Sequence, residues 1–319
     1  MQPTRAAIIN GARGDKGGLL KVIRSDWRRH YGLYIMLLPL FLYYIVWSYA
    51  PMYGIQIAFK NFSPRRGIAG SEWIGFKNFI SFFSGVYAWR VIRNTLLINL
   101  YHLIFGFPIP IIFALLLNEI RGKVFKRTIQ TVSYMPYFIS LVVLCGILVD
   151  FCATNGIFGE FQRLLGLEPV NLLGNAKYFR TVYVTSDIWQ RMGWDSIIFL
   201  SALSAINPEL FEAARIDGAG RLKQVIHVTI PGILPTIAIL LVLRIGGMMS
   251  VGFEKVILLY NGLTYETADV ISSFVYRRGI IEGDFSYATS VGLFNSVVNL
   301  FLVISANKIS NKLTDTGLW

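Results

Sequence analysis

Six runs of predominantly apolar residues recur along the chain, near 33–50, 96–117, 131–152, 184–206, 233–251 and 288–306, with polar connections between them. Each is about twenty residues long, the length a helix needs to cross a hydrocarbon core about 30 Å thick. Lipid offers backbone amides no hydrogen-bond partner, so a spanning segment must satisfy its own, and the six runs predict helices. The period-two alternation of a membrane barrel strand is absent. The fourth run is the least apolar of the six. Pro39, Pro108 and Pro110 fall inside runs and predict kinks there. Ser48-Tyr49-Ala50 has the small-x-small form of a signal cleavage site, but the run before it exceeds a signal core and Pro51 follows directly, so a retained span is expected. The fold class read from this pattern is an all-α polytopic membrane protein with six transmembrane helices.

Composition narrows the class further. Only 15% of the 319 residues are charged while 54% are apolar, and mean hydropathy is +0.54, against about 25% charged residues in a soluble domain. An ordinary cytosolic enzyme, a disordered chain and a fibrous chain are all excluded. The formal charge of +12 would suggest nucleic acid in a soluble protein. Beside membrane spans it points instead to cationic loops facing an anionic leaflet, and no nucleic-acid partner is expected. With the N-terminus inside, the pieces 1–31, 119–129, 207–230 and 307–319 hold 16 Lys and Arg in 79 residues, while 51–93, 153–180 and 254–287 hold 12 in 105. That bias favours cytoplasmic termini. The resulting division is a cytoplasmic N-terminal segment at 1–31, a six-helix transmembrane domain at 32–308 and a cytoplasmic tail at 309–319. Cys145 and Cys152 lie in or at the end of an apolar run and read as small packing residues, not as a disulfide or metal cluster.

Catalytic signatures are missing. The chain has no G-x-x-x-x-G-K-[ST] phosphate loop and no G-x-S-x-G, and His30, His102 and His227 lack metalloprotease spacing. No carboxylate pair is placed to flank a sugar bond. No metal and no cofactor are expected.

The stretch 207–231 carries the strongest local signal. Asn207 is a good helix cap, Pro208 suits the first helical position, and Glu209 and Glu212 favour the positive end of the helix dipole. Gly218 can close the helix in a left-handed conformation, a second helical segment runs from Arg221 to Thr229, and Pro231 marks where the fifth span starts. A short helix with Leu210, Phe211, Ala214 and Ile216 on a cytoplasmic loop is either a docking element or a segment lying on lipid.

Glu212-Ala213-Ala214, Gly218 three residues on, and Val228-x-Ile230-Pro231 after nine more resemble the E-A-A-x3-G-x9-I-x-L-P loop of permease subunits in binding-protein-dependent ABC importers. Val228 and Ile230 replace Ile and Leu conservatively. Further stretches resemble the maltose-type (carbohydrate uptake class 1) branch, and within it the permeases for complex oligosaccharides related to lipoprotein-associated polysaccharide permeases. They are Pro51-Met52-Tyr53-Gly54, Gly75-Phe76-Lys77-Asn78-Phe79, Gly252-Phe253-Glu254-Lys255, Leu259-Tyr260-Asn261 and Gly317-Leu318-Trp319. The resemblance implies a type I importer permease in a bacterial plasma membrane. It also implies a second homologous permease subunit, two cytosolic ABC ATPases that hydrolyse ATP on this chain's behalf, and an extracellular or periplasmic solute-binding protein. Its substrate would be an oligosaccharide. Glu212, Ala213, Ala214, Asp217, Gly218, Ala219 and Pro231 would then form the ATPase-coupling element.

Charges inside spans are costly and face partners or wet cavities. Asp187, Arg191 and Asp195 recur every four residues on the fourth span, within pairing reach. They read either as a structural ion-pair ladder or as a polar wall of a translocation path, with Trp189 and Trp194 as stacking faces for sugars. Arg244 beside Gly246 and Gly247 either lines the path, favouring anionic sugars, or snorkels and pairs. The outer segment 264–280 is expected to be amphipathic, with Asp269, Arg277 and Arg278 exposed, as a binding-protein contact or a plain surface helix. Two other classes stay open: a permease for another solute such as a peptide or amino acid, and an ion-gradient-driven transporter using Asp187, Arg191 and Asp195. A membrane-embedded glycan enzyme lacks the constellation it would need.

Overall fold

The computed structural model describes residues 16–314 and residue 317. Arg5, Arg13, Leu318 and Trp319 lie outside the described residues. The chain divides between Gln56 and Ile57 into two compact units. The first is α1, Lys16–Tyr44, continued by a π turn at Ile45–Tyr49 and the start of a 3-10 segment at Ala50–Phe59. Its apolar side chains from Leu33 to Tyr49 stand exposed, as a lipid-facing surface requires. The break in α1 falls at His30, whose backbone leaves the helical region, and not at Pro39, which sits inside the helix.

The second unit begins with a two-residue antiparallel ladder, Lys60–Asn61 against Glu72–Trp73. Its helices are α2 (Lys77–Ser84), α3 (Val86–Tyr101), α4 (Pro108–Glu119), α5 (Lys123–Tyr134), α6 (Leu141–Cys152), α7 (Ile157–Leu164), α8 (Ala176–Ser204), α9 (Pro208–Ile216), α10 (Arg221–Gln224), α11 (Ile230–Gly246), α12 (Phe253–Leu259), α13 (Tyr265–Ala268), α14 (Ile271–Tyr276) and α15 (Phe285–Thr314). Five helical stretches are long and apolar enough to span: Arg29–Phe59, Ala88–Glu119, Leu141–Leu164, Arg221–Gly246 and Phe285–Lys312. The sixth is α8, the least apolar, which passes the same test only together with α9 across a 70° bend.

The expected kink at Pro108 and Pro110 takes a specific form. A π turn at His102–Gly106 absorbs the lost amide, and Pro108 opens α4 at its first position. The third span starts later than its apolar run. α5 gives way to a 3-10 turn at Met135–Phe138 with Pro136 in its first positions, and Ser140 caps α6 by accepting from the Val143 amide.

α8 organises the bundle. Phe179, Tyr183, Ser186, Gln190, Gly193, Ser196, Phe199 and Leu203 repeat at helical spacing and are buried. At one end they join Cys145, Cys152, Val256 and Val270 in a core cluster, and at the other they meet Ala114 and Ile233. Both cysteines are free and buried, as small packing residues are. At Gly193 the helix passes so close to the last turn of α5 that a Cβ would sit 2.2 Å from the Ser133 carbonyl oxygen. Gly193→Ala is therefore expected to force these backbones apart and cost at least about 2 kcal/mol. A lowered unfolding temperature and yield in size-exclusion chromatography will read it.

The segment 264–280 departs from expectation. It is broken into α13, α14 and a π turn, and Asp269 is fully buried instead of exposed. Arg277 lies 2.8 Å and Arg90 3.0 Å from its carboxylate, and Ser273 Oγ donates to it at 3.0 Å. Asn94 Nδ2 donates to the Glu266 and Asp269 carbonyls, and Arg180 donates to Asn94 Oδ1 at 2.7 Å. A buried carboxylate persists only when so surrounded. Burial works against the Arg277 charge, but the hydrogen bond and charge of Asp269 outweigh it and raise its pKa.

Candidate functional site

α9 forms where its local signals place it. Asn207 Oδ1 accepts from the Glu209 amide at 3.0 Å, and its Nδ2 donates to Glu209 Oε2 at 3.1 Å. Pro208 takes the first helical position. At the other end Ala219 N donates to Ala214 O at 2.8 Å, a closure that needs the left-handed Gly218, φ +75°. Glu212, Ala213, Asp217 and Gly218 are exposed, Ala214 and Ala219 are half-buried, and Leu210 and Ile216 present apolar surface. Pro231 is exposed in the first turn of α11, which continues from α10 through a π turn at Val225–Thr229. No atom obstructs a Cβ at Gly218, so a substitution there meets strain alone. Gly218→Ala is expected to cost about 1 kcal/mol, and Gly218→Asn less. Faster amide exchange over residues 213–219 will report the loosened cap.

The second candidate region lies within the bundle. A cavity of about 480 Å³ is lined by Tyr137, Tyr183, Asp187, Gln190, Arg191, Glu254 and Lys255. A neighbouring one of about 630 Å³ is lined by Phe107, Pro110, Trp194 and Asp195. His102 and Arg244 line both.

The expected ladder is half formed. Arg191 reaches Asp195 at 3.7 Å. Asp187 instead pairs with His102 and, at 3.5 Å, with Lys255. Lys255 Nζ also donates to the Tyr183 carbonyl at 3.1 Å and lies over the Tyr183 ring. Three elements are thus pinned at one carboxylate: the π turn after α3, α8 and α12. Trp194 stacks on Tyr137 at 4.5 Å, so one of its faces is already taken. Trp189 is exposed and lines neither cavity. Arg244 is half-buried, and among the described residues no carboxylate lies within 4.0 Å of it. His102 and Lys255 were not singled out from the sequence. An ionisable His102 within an apolar run was a usable signal, whereas Lys255 lies just beyond a run. Among the described residues no group of His, Cys, Asp and Glu is arranged to hold a metal.

Residues 106–314 match the family of binding-protein-dependent transport system inner membrane components. The polygalacturonan/rhamnogalacturonan transport system permease protein YteP of Bacillus subtilis (strain 168) is 40% identical over 318 residues, 99% of this chain and 98% of that one. Protein LplB of the same organism is 43% identical over 297 residues, 93% of this chain and 92% of that one. A chain of a bacterial alginate ABC transporter, crystallised in complex with an alginate pentasaccharide-bound periplasmic protein, superposes with a TM-score of 0.86 at 41% identity, covering 92% of this chain and 99% of that chain. Proteins of this kind are membrane components and not enzymes. With five to six spans and a family match over most of its length, this chain is a membrane protein and belongs to the binding-protein-dependent transport system inner membrane components.

Proposed function

We propose that this chain is the membrane subunit of an ATP-driven importer for an acidic oligosaccharide, lining part of its path together with a second, homologous permease subunit. Two cytosolic ABC ATPases would supply the energy, and an extracellular or periplasmic solute-binding protein would deliver the sugar. α9 is the coupling helix in this reading. Glu212, Ala213, Ala214, Asp217, Gly218 and Ala219 meet an ATPase, and Pro231 fixes where the fifth span begins. Both termini are cytoplasmic, flanking a transmembrane domain at 32–308. Closure of the ATPase pair would push α9 as a rigid body and rock the spans between inward- and outward-facing states.

The observation that carries the acidic substrate is Arg244. It is a cation where two cavities meet, with no carboxylate in pairing range among the described residues. A charge held in a membrane domain without a partner is costly unless water or a ligand meets it. A passing uronate carboxylate would, and a guanidinium binds one in two-point fashion. Relatives named for polygalacturonan and alginate transport point the same way. Arg191 beside it is held only loosely by Asp195 and offers a second contact. Asp195 and Trp194 would line the adjoining stretch of the path, and Asp187 its floor.

The test compares a uronate trisaccharide with its neutral methyl ester. Arg244→Gln is expected to lower uptake of the acid by about tenfold and that of the ester by less than about twofold. Equal losses for both, or none for the acid, would remove Arg244 from substrate recognition.

A further inference from the structure

A third cavity, of about 420 Å³, opens between the last turn of α4, α9, α10 and the π turn that follows α10. Arg121, Arg215 and Arg221 line it, and among the described residues Glu119 is the one carboxylate on its wall. Glu119 lies 3.9 Å from Arg221, which leaves Arg121 and Arg215 without a counter-charge among the described residues. The adjoining element is α5, where Lys123, Lys126 and Arg127 share the first turns with Val124 and Phe125, 81% and 62% exposed. Basic residues beside exposed apolar ones on a helix suit the interface of an anionic bilayer.

We propose that this cavity binds the phosphodiester headgroup of an anionic phospholipid, with α5 lying in the adjoining lipid surface. Guanidinium groups match phosphate oxygens in geometry as well as charge. Basic pockets between spans at a membrane face take such headgroups. The volume exceeds what a lone phosphate needs and leaves room for a glycerol beyond it. α9 contributes Phe211 and Arg215 while α4 contributes Glu119, so the lipid would tie the coupling loop to the bundle. Glu119 opposes the anion and weakens its hold. Which leaflet supplies the lipid rests on the orientation proposed above, but headgroup recognition does not, so a test in detergent separates the two.

The full chain, purified in an uncharged detergent, is titrated with phosphatidylglycerol and with phosphatidylcholine of the same acyl chains, and lipid retention is read by native mass spectrometry. Phosphatidylglycerol is expected to bind about tenfold more tightly. The double variant R121Q/R215Q should lose that preference, and Glu119→Gln should strengthen it, a gain that misfolding cannot produce. The double variant R65Q/R66Q, at exposed arginines outside both the cavity and α5, should keep the preference within about twofold. Equal binding of the two lipids to the native chain would overturn the proposal, as would a preference surviving R121Q/R215Q. Complete displacement of phosphatidylglycerol by millimolar inorganic phosphate would reassign the site to a soluble phosphate.

Discussion

Glu212→Lys is expected to leave the chain in the membrane at its normal level and to reduce ATP-driven uptake by about a hundredfold or more. The two halves of this expectation have separate causes. Glu212 is exposed on α9 and, among the described residues, makes no ion pair, so the chain itself hardly registers the change. Surface substitutions of that kind shift stability by about 0.5 kcal/mol at most. The capping that holds α9 resides in Asn207, Glu209 and Gly218, none of which is touched. At the contact with an ATPase the situation reverses. A charge-assisted bond to a basic group becomes a like-charge encounter, and α9 is too short and too firmly capped to turn the residue away. Loss of ATPase co-purification together with loss of uptake is the expected pair of readings. Uptake at full rate would remove α9 from energy coupling. Glu209→Lys is the control, because its carboxylate serves the Asn207 cap and its loss frays the helix without reversing the exposed charge at position 212.

What the sequence revealed and what it hid divide along sequence separation. α9 was legible because a cap, a proline and a closing glycine act within twelve residues of one another. Arg191 and Asp195 were legible because an i,i+4 pair follows from helix geometry alone. Cys145 and Cys152 were legible as packing residues from the apolar run that holds them. The partners of Asp187 were not, because they stand 85 and 68 residues away, on elements whose juxtaposition no periodicity records. Asp269 misled for a related reason. An acid in a polar-looking loop reads as solvated until Arg90, 179 residues earlier, is brought against it. Pro39 and His30 show the opposite failure of a local rule. The helix absorbed the proline, and the backbone broke where no residue type announced it. Trp189 and Trp194 were both read as stacking faces, yet only Trp194 lines a cavity, since five residues carry it about 140° around the helix from Trp189.

Asp187→Asn is expected to destabilise the chain by about 3–5 kcal/mol, and Lys255→Met by less. The asymmetry follows from the partners. The asparagine would leave two basic groups, His102 and Lys255, around a neutral amide, with Lys255 retaining only the Tyr183 carbonyl and ring. The methionine leaves Asp187 still paired with His102, and its chain fills the space of the lysine stem. Combining the two removes both the buried cation and the carboxylate that needs it. The double variant should recover at least about 1 kcal/mol relative to the sum of the single changes, measured as unfolding temperature in detergent. Uptake should not return with it, because Asp187 also faces the 480 Å³ cavity, where its charge sets the balance against Arg191 and Arg244. Expected, then, is a fold restored and a path still impaired, with uptake below about a tenth of normal. If uptake recovers in step with stability, the cluster serves only to pin α8 to the turn after α3 and to α12, and the polar lining of the path must be sought at Arg191 and Arg244 alone.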